Sequence, residues 1–401
     1  MAIKVSGNTV IDNSRNLVGV SSITFSDGTV QSTAGPGPSS GGTNIHKQGD
    51  LLFTLINPDL ENTDVDDDWF GFQVVMNDKY IAVAATGEET DTGASNSGIV
   101  YVYDAKTRRR LYALSPTTNL YGNDGTGLDI DDHFLAVGSN NYYTSSATRH
   151  TVYIYDLRDG QIVCTIESPN SSVNNPGAYS NADYFGGLGA ISIKGKYILI
   201  GAPRHDASTY AGGNLGRNHG KAYLFEWAAS STGTLLYEYE QTDTGRTAVD
   251  DIEWGSAVAL TDSYVVISTN GDLEHFDLSY GDRHIDVFYK IPPLETSGYV
   301  GTINPSDTSG FVAKLDHGRA LIADEDDDII IINDYRTSVS PTGANKDSVY
   351  PRAARMYKLS DRSHIRDFNR PGRWDNPSEY EDARGAIAYS DGVLAIGSMS
   401  D

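Results

Sequence analysis

The chain has 401 residues, a formal net charge of -24 and a pI near 4.6, a balance that repels phosphate backbones and anionic lipid headgroups and excludes nucleic acid as a natural partner. Only 39% of residues are hydrophobic, and no apolar run approaches the roughly 18 residues that a transmembrane helix needs. A single cysteine, Cys164, rules out an intrachain disulfide, and its place in the alternating run Gln161-Ile162-Val163-Cys164-Thr165-Ile166 predicts a buried packing thiol.

Residues 1–34 predict a small β-rich segment rather than a signal peptide. Ile3 to Ile11 reads as a hairpin turning at Gly7-Asn8, a pair that tolerates positive φ. A second pair of strands, Ser22 to Phe25 and Thr29 to Gln31, is joined by Ser26-Asp27-Gly28. So little core is expected to fold by self-association or by docking on a larger assembly. Residues 35–44 follow as a Pro/Gly/Ser linker.

From residue 45 to 401 one unit recurs: a Gly beside a large apolar residue, a short strand, a tight polar turn, an aliphatic run, a long polar loop and a Tyr-rich strand. The copies are Phe70-Gly71 with Tyr80 to Val83, Gly125 with Phe134 to Val137, Phe185-Gly186 with Tyr197 to Ile200, Trp254-Gly255 with Tyr264 to Ile267, Gly310-Phe311 with Ala320 to Ile322, and Gly385 with Val393 to Ile396. Strand repeats at a period of about 54 to 74 residues imply a radial array whose units cannot bury their faces alone. The fold class is therefore all-β, a propeller of six blades. Leu51 to Pro58 matches the fourth strand of a blade (compare Leu111 to Pro116), so it is expected to close the blade that Gly385 to Gly397 begins. That blade lacks a third strand, so it has three strands, or the chain continues beyond Asp401 and the count is seven.

With strands lettered a to d, the a–b turns (Asn77 to Lys79, Lys194 to Lys196, Thr261 to Ser263) and the c–d turns are short. The b–c loops are long, at 85–98, 139–150, 201–219, 270–283 and 323–352, and so are d–a connections such as 168–183 and 369–383. All variable length thus falls on one face, where loops on a rigid scaffold bind. The N-terminal segment is expected to join the opposite face.

Phe185-Gly186 paired with Gly201-Ala202-Pro203 resembles the FG-GAP repeat of β-propellers; Phe70-Gly71 keeps the first half, and Trp254-Gly255 substitutes Trp. Met1 to Leu17 followed by Ile23-Thr24-Phe25-Ser26-Asp27-Gly28-Thr29-Val30-Gln31-Ser32 is similar to the N-terminal segment of tail-fibre-like virion structural proteins of marine tailed phages, cyanophages especially. That resemblance implies a virion-anchored adhesin, often trimeric, with a distal domain for host attachment.

Asp64, Asp66 and Asp68 are either solvated loop acids or a calcium site, but the calcium loop of FG-GAP repeats needs a Gly where Trp69 stands. Asp324 to Asp328 follow a predicted b strand as a second acid cluster. No catalytic motif is present: the nine His include no metal-helix pair, and no Gly-x-Ser-x-Gly elbow occurs. The face loops carry Asn141, Tyr142, Tyr143, Tyr179, His205, Asp206, Tyr210 and Tyr280, mixing flat amphipathic rings with small polar groups in the manner of adaptable recognition surfaces. Such a surface suits glycans.

The sequence thus predicts a non-enzymatic virion protein, without a required cofactor, whose N-terminal segment binds other virion proteins and whose propeller binds a host surface glycan or protein. A trimer is favoured and membrane insertion is not expected. A polysaccharide depolymerase and a structural baseplate or decoration protein are the alternatives.

Overall fold

The computed structural model describes residues 3–5, 8–11, 23–24, 30–31, 54–58, 68–88, 98–115, 126–139, 150–169, 183–187, 189–205, 219–241, 253–269, 284–290, 298–303, 321–333, 352–369, 387–390 and 393–396. The chain divides into two compact units, Met1–Ile56 and Asn57–Asp401. In the first, β1 (Ile3–Val5) pairs antiparallel with β2 (Asn8–Ile11), and β3 (Ile23–Thr24) with β4 (Val30–Gln31). Both predicted hairpins are present, the first reversing one residue early because Asn8 already pairs with Val5.

The second unit is a β-propeller with five four-stranded blades, each a meander of antiparallel neighbours. Blade one holds β5 (Phe70–Met76), β6 (Tyr80–Ala85), β7 (Ile99–Asp104) and β8 (Arg110–Leu114). Blade two holds β9 (Leu128–Asp131), β10 (Phe134–Ser139), β11 (Thr151–Asp156) and β12 (Gln161–Glu167). Blade three holds β13 (Ile191–Lys194), β14 (Tyr197–Ala202), β15 (Lys221–Glu226) and β16 (Thr234–Tyr239). Blade four holds β17 (Ala257–Leu260), β18 (Tyr264–Ser268), β19 (Ile285–Tyr289) and β20 (Tyr299–Ile303). Blade five holds β21 (Leu321–Asp324), β22 (Ile329–Asn333), β23 (Arg352–Lys358) and β24 (His364–Asn369). First strands of successive blades lie side by side.

The expectation of six or seven blades is corrected to five. The sixth repeat is a two-stranded hairpin, β25 (Ile387–Ser390) with β26 (Val393–Ile396), whose Ile387, Tyr389 and Leu394 pack, like Ile322, Met356 and Phe368, against the buried Ile329, Ile331 and Ala354 of blade five. Closure by an N-terminal strand fails with it: Thr54 to Asn57 carry no strand, and Leu51 to Phe53 lie outside the described residues. The physical reason is that a fourth strand must pair with a third, and the described hairpin has none to offer. The fifth copy is also re-registered. Leu321–Asp324 is its first strand, not its second, so Asp324 to Asp328 form the a–b turn rather than a binding loop, with Asp324 Oδ1 accepting from the Asp327 amide at 3.0 Å.

Middle strands are buried on both faces because each blade is sandwiched between neighbours. β10, β11 and β14 are buried almost end to end, which is why they read as continuous aliphatic runs rather than as alternation. Ile154, Cys164 and Ile166 of blade two meet Phe185, Ile198 and Phe225 of blade three, and Leu224 and Tyr239 of blade three meet Trp254 and Phe288 of blade four. Cys164 is buried as expected, and burial raises its thiol pKa.

Three devices recur. Between strands c and d every blade carries a bulge, after Val102, Ile154, Leu224, Val287 and Met356, and an aromatic residue follows each: Tyr103, Tyr155, Phe225, Phe288 and Tyr357. On the short-turn face the residue after strand c donates its amide to the carbonyl before strand b in all five blades: Ala105 to Lys79, Leu157 to His133, Trp227 to Lys196 and Lys290 to Ser263 at 2.8–2.9 Å, and Leu359 to Asp328 at 3.1 Å. Between inner strands, a side chain reaches the next blade's backbone: Asp129 Oδ2 accepts the Ile193 amide at 2.7 Å, and Ser192 Oγ, at the equivalent position, accepts the Leu260 amide at 3.1 Å.

Glycine is required where blades touch. A methyl group on Gly201 would press on the Gly255 carbonyl oxygen, 2.9 Å from its carbon, and one on Gly138 would meet Gly186 in the same way. Gly201→Ala should therefore destabilise the protein by about 3 kcal/mol, at the upper end of overpacking costs because the obstacle is backbone, whereas Ala84→Gly at the matching position of blade one should cost about 1 kcal/mol or less; denaturant melts check both. Burial raises the Asp129 carboxyl to about 6 against the hydrogen bonds from Ile193, Ile130 and Ser192. A folded pKa raised in this way contributes stability that is complete below the unfolded value of about 3.9 and is lost as pH rises through about 6. Asp129→Asn keeps an acceptor for Ile193, so its stability relative to wild type should rise between pH 4 and 7 by on the order of 1 kcal/mol, measured as melting temperature against pH.

Candidate functional site

The long b–c and d–a connections enter on one face, and the described residues at their roots form its floor. The three blade-opening motifs among the described residues build the same turn there. In blades one, three and four the residue before the aromatic-Gly pair is left-handed (Trp69 φ 51°, Tyr184 φ 55°, Glu253 φ 48°), the glycine has positive φ (Gly71, Gly186, Gly255), and the following amide closes on the left-handed residue's carbonyl at 3.0–3.2 Å. The turn needs glycine at its third position and tolerates varied side chains at its first.

Around the blade three turn lies a buried polar node. Asp183, His150 and Ser168 are each less than a tenth exposed. Asp183 Oδ1 lies 3.2 Å from His150 Nδ1 and accepts the Phe185 amide at 3.2 Å, while Ser168 Oγ donates to Oδ2 at 2.6 Å. The Ser168 amide donates to the His150 carbonyl at 2.9 Å, and the Asp183 carbonyl accepts the Arg204 amide at 3.2 Å. Burial, the largest influence, pushes the Asp183 pKa up, but His150, Ser168 and Phe185 outweigh it and the net shift is downward. The roots of three connections, 140–149, 170–182 and 206–218, thus meet on one residue, the first two on the Asp183 carboxylate and the third on its backbone carbonyl. Ser, His and Asp occur together here without forming a nucleophile, because the serine donates to the aspartate, not the histidine, and all three are shielded from substrate.

Arg204 links this node to blade four. Its guanidinium lies 4.0 Å over the Tyr184 ring and donates to the Tyr184 hydroxyl at 2.6 Å, and its Nε donates to Glu253 Oε1 at 3.1 Å. Blade four repeats the buried pairing: His284 Nε2 is 2.9 Å from Asp286 Oδ2, which also accepts Trp254 Nε1 at 3.0 Å, and Thr302 donates to Oδ1. In blades two, three and four, buried His150, His219 and His284 stand where the chain re-enters the sheet from the b–c loop.

Of the residues singled out from sequence, two are described. His205 is half-buried at the rim, its Nδ1 3.5 Å from the Tyr223 hydroxyl and its carbonyl accepting the Gly220 amide at 3.0 Å. Asp68 is buried and accepts Asn57 Nδ2 at 2.7 Å, and its carbonyl accepts the Gly87 amide at 3.1 Å, the bond that Asp183 makes to Arg204 in blade three. Asn141, Tyr142, Tyr143, Tyr179, Asp206, Tyr210, Tyr280, Asp64 and Asp66 lie outside the described residues. Among the described residues no group of three His, Cys, Asp or Glu is placed to hold a metal ion, and no helix is long and apolar enough to cross a membrane. Sequence reasoning missed His150, Ser168, Asp183, Arg204, Glu253, His284 and Asp286. One signal was present: Asp-x-Phe-Gly occurs at Asp68 and again at Asp183, and both aspartates are buried.

No family model matches the chain and no curated protein matches it, so the FG-GAP likeness rests on Phe185-Gly186 and Gly201-Ala202-Pro203 alone. Among solved structures the chain is similar to BamB from Moraxella catarrhalis (10% identity, TM-score 0.34, covering 80% of this chain and 68% of that one). It is also similar to apo AztD from Citrobacter koseri (12%, 0.39, covering 81% and 65%) and to quinohemoprotein alcohol dehydrogenase ADHIIG from Pseudomonas putida HK5 (10%, 0.42, covering 78% and 46%). Likeness at this level carries no functional argument. The chain belongs with β-propeller proteins by its own blades.

Asp183 supplies a test of the node. A depressed carboxylate contributes stability that is present above the unfolded pKa and lost as pH falls through the folded one. Asp183→Asn should cost about 2 kcal/mol at pH 7, the usual cost of weakening a charge-assisted acceptor for buried donors, and the gap to wild type in urea melts should narrow below about pH 4.

Proposed function

We propose that this protein is a non-enzymatic recognition component of a phage virion, anchored by its N-terminal hairpins and binding through the long-loop face of its propeller. The observation that carries the reading is the asymmetry between the faces. One is latched by five short backbone hydrogen bonds of near-equal length, while the other gathers the long connections over roots fixed by buried ionic groups. Rigid roots under variable loops are the arrangement in which loop composition alone sets what is bound. The Tyr, Asn and Ser of those loops favour a host surface glycan as ligand, with a host protein or a neighbouring virion subunit as the alternatives. The anchoring role is supported by the wording of Met1 to Ser32 and by the two hairpins found there, and a segment so small gains stability by trimerisation or by docking on the particle.

Full-length protein should label host cells and a subset of a printed glycan array, and replacing residues 206–217 by a short Gly-Ser link should reduce that labelling at least about tenfold while the melt stays cooperative. Labelling unaffected by changes in every long loop would reject the face assignment. New reducing ends or unsaturated sugars appearing in host polysaccharide would reject the non-enzymatic part and favour a depolymerase.

A further inference from the structure

The c–d turn is built alike in blades one, two and five. The amide of its fifth residue returns to the carbonyl of its first, Arg108 to Asp104 at 2.8 Å, Gly160 to Asp156 at 2.7 Å and Arg362 to Lys358 at 3.0 Å. What the turn carries differs. Blade two pairs Arg158 with Asp156, Nε to Oδ1 at 2.9 Å, and places Asp159 at the fourth position, where blade five has Asp361. Blade one has Thr107 there, and with Lys106, Arg108, Arg109 and Arg110 around it four of five successive residues are cationic in a chain of net charge -24. Asp104, at the base of this turn, is engaged with the turn itself: its Oδ1 accepts the Thr107 amide at 2.6 Å, the Thr107 hydroxyl at 2.8 Å and the Lys106 amide at 3.0 Å. Arg108 folds back and donates to the Lys106 carbonyl. Lys106, Arg109 and Arg110 are exposed, and among the described residues their side chains have no hydrogen-bond or ion-pair partner; Arg110 lies 5.7 Å over the Tyr101 ring. Lys79 and Lys196, on a–b turns of the same face, are by contrast spent on Asp132 and on Glu226, the latter at 2.6 Å.

We propose that the turn from Lys106 to Arg110 binds an acidic polysaccharide, whose carboxylate, phosphate or sulfate groups pair with Lys106, Arg109 and Arg110. This site lies on the short-turn side of the propeller, away from the long loops, and stands independently of what they bind. The net charge of the chain does not forbid it, because at physiological salt charges beyond about 8 Å are screened, and an anion on the turn meets chiefly the local cations. A guanidinium presents a rigid fork of donors that matches the paired oxygens of such groups. A folded acidic protein is the poorer fit: Leu111, 40% exposed beside the turn, is little apolar surface for the core that such a partner buries, and lysine is depleted from those cores. A hydrated polysaccharide strand needs only the charges.

The test measures binding of the full chain to heparin, polygalacturonate and a phosphate-bearing lipopolysaccharide, which separate sulfate, carboxylate and phosphate, at ionic strengths from about 0.05 to about 0.5 M. Wild type is compared with Arg109→Gln alone and with Lys106→Gln, Arg109→Gln and Arg110→Gln combined; Arg108 is kept because it braces the turn. Wild type is expected to bind at least one of the three, less tightly as salt rises, with affinity about threefold lower for the single variant and about tenfold lower for the triple. Melting temperatures should stay close together, since the side chains removed hold no hydrogen bond in the fold. Equal affinity of wild type and both variants, or no binding of any of the three by wild type, would overturn the proposal while leaving the long-loop reading standing. Polyglutamate bound as tightly as the best polysaccharide would overturn it in favour of an acidic protein segment. Replacing residues 206–217 should leave this binding intact, and its loss there would move the anion to the other face and overturn the assignment to this turn.

Discussion

The structure depends on backbone-to-backbone contact between neighbouring blades. At Gly138 and Gly201 the chain of one blade lies directly against the opening turn of the next, at Gly186 and Gly255, with no room for a β-carbon. That contact fixes how far adjacent sheets are separated where the long loops enter, and apolar burial fills the wedge that widens behind it. Blade one carries Ala84 at the matching position and blade four Ser268, so the seams are variations on one theme rather than copies. Apolar packing of the kind joining Ile154 and Ile166 to Phe185 and Phe225 is non-directional, and the glycine contact supplies the register that packing alone does not.

Polar groups inside the fold follow the same division of labour. Side-chain acceptors such as Asp129 and Ser192 take up inner-strand amides of the next blade, and the Val258 amide reaches the Gly189 carbonyl at 3.1 Å, so neighbouring inner strands are joined by side-chain and backbone acceptors together. At the loop roots, Asp183 and Asp286 satisfy several donors each and keep histidines buried beside them. Buried ionic groups of this kind contribute little net stability against an apolar alternative, so their value lies in fixing where the chain re-enters the sheet.

Repeat identity, strand order within a blade and the division of loops between two faces were legible because both-face burial writes an aliphatic run into strand b and a Tyr-rich run into strand c. The blade count was not, since Leu51 to Pro58 has the apolar pattern of strand d, and pattern does not reveal whether a partner strand exists. Leu321 to Asp324 was misplaced for a related reason: the acid run Asp324 to Asp328 looks like a loop, whereas Asp324, by accepting the Asp327 amide, caps a tight turn of the four residues that follow it. The loop-root node was hidden because His150, Ser168 and Asp183 are far apart in sequence and meet only when blades two and three pack. Trp69 was visible, but as the residue that spoils a calcium loop; its left-handed φ belongs to the turn, which tolerates Tyr and Glu as well.

The bulge between strands c and d has a consequence at the perimeter. A rim of regular edge strands would offer unpaired backbone groups at the spacing another strand needs, and proteins crowded together would zip edge to edge. Here every outer strand is interrupted within its first residues, and the rim of blade two is further covered where the Ser230 amide donates to the Val163 carbonyl at 2.6 Å. Copies held at high local density are therefore kept from joining edge to edge through the outer strands of these five blades.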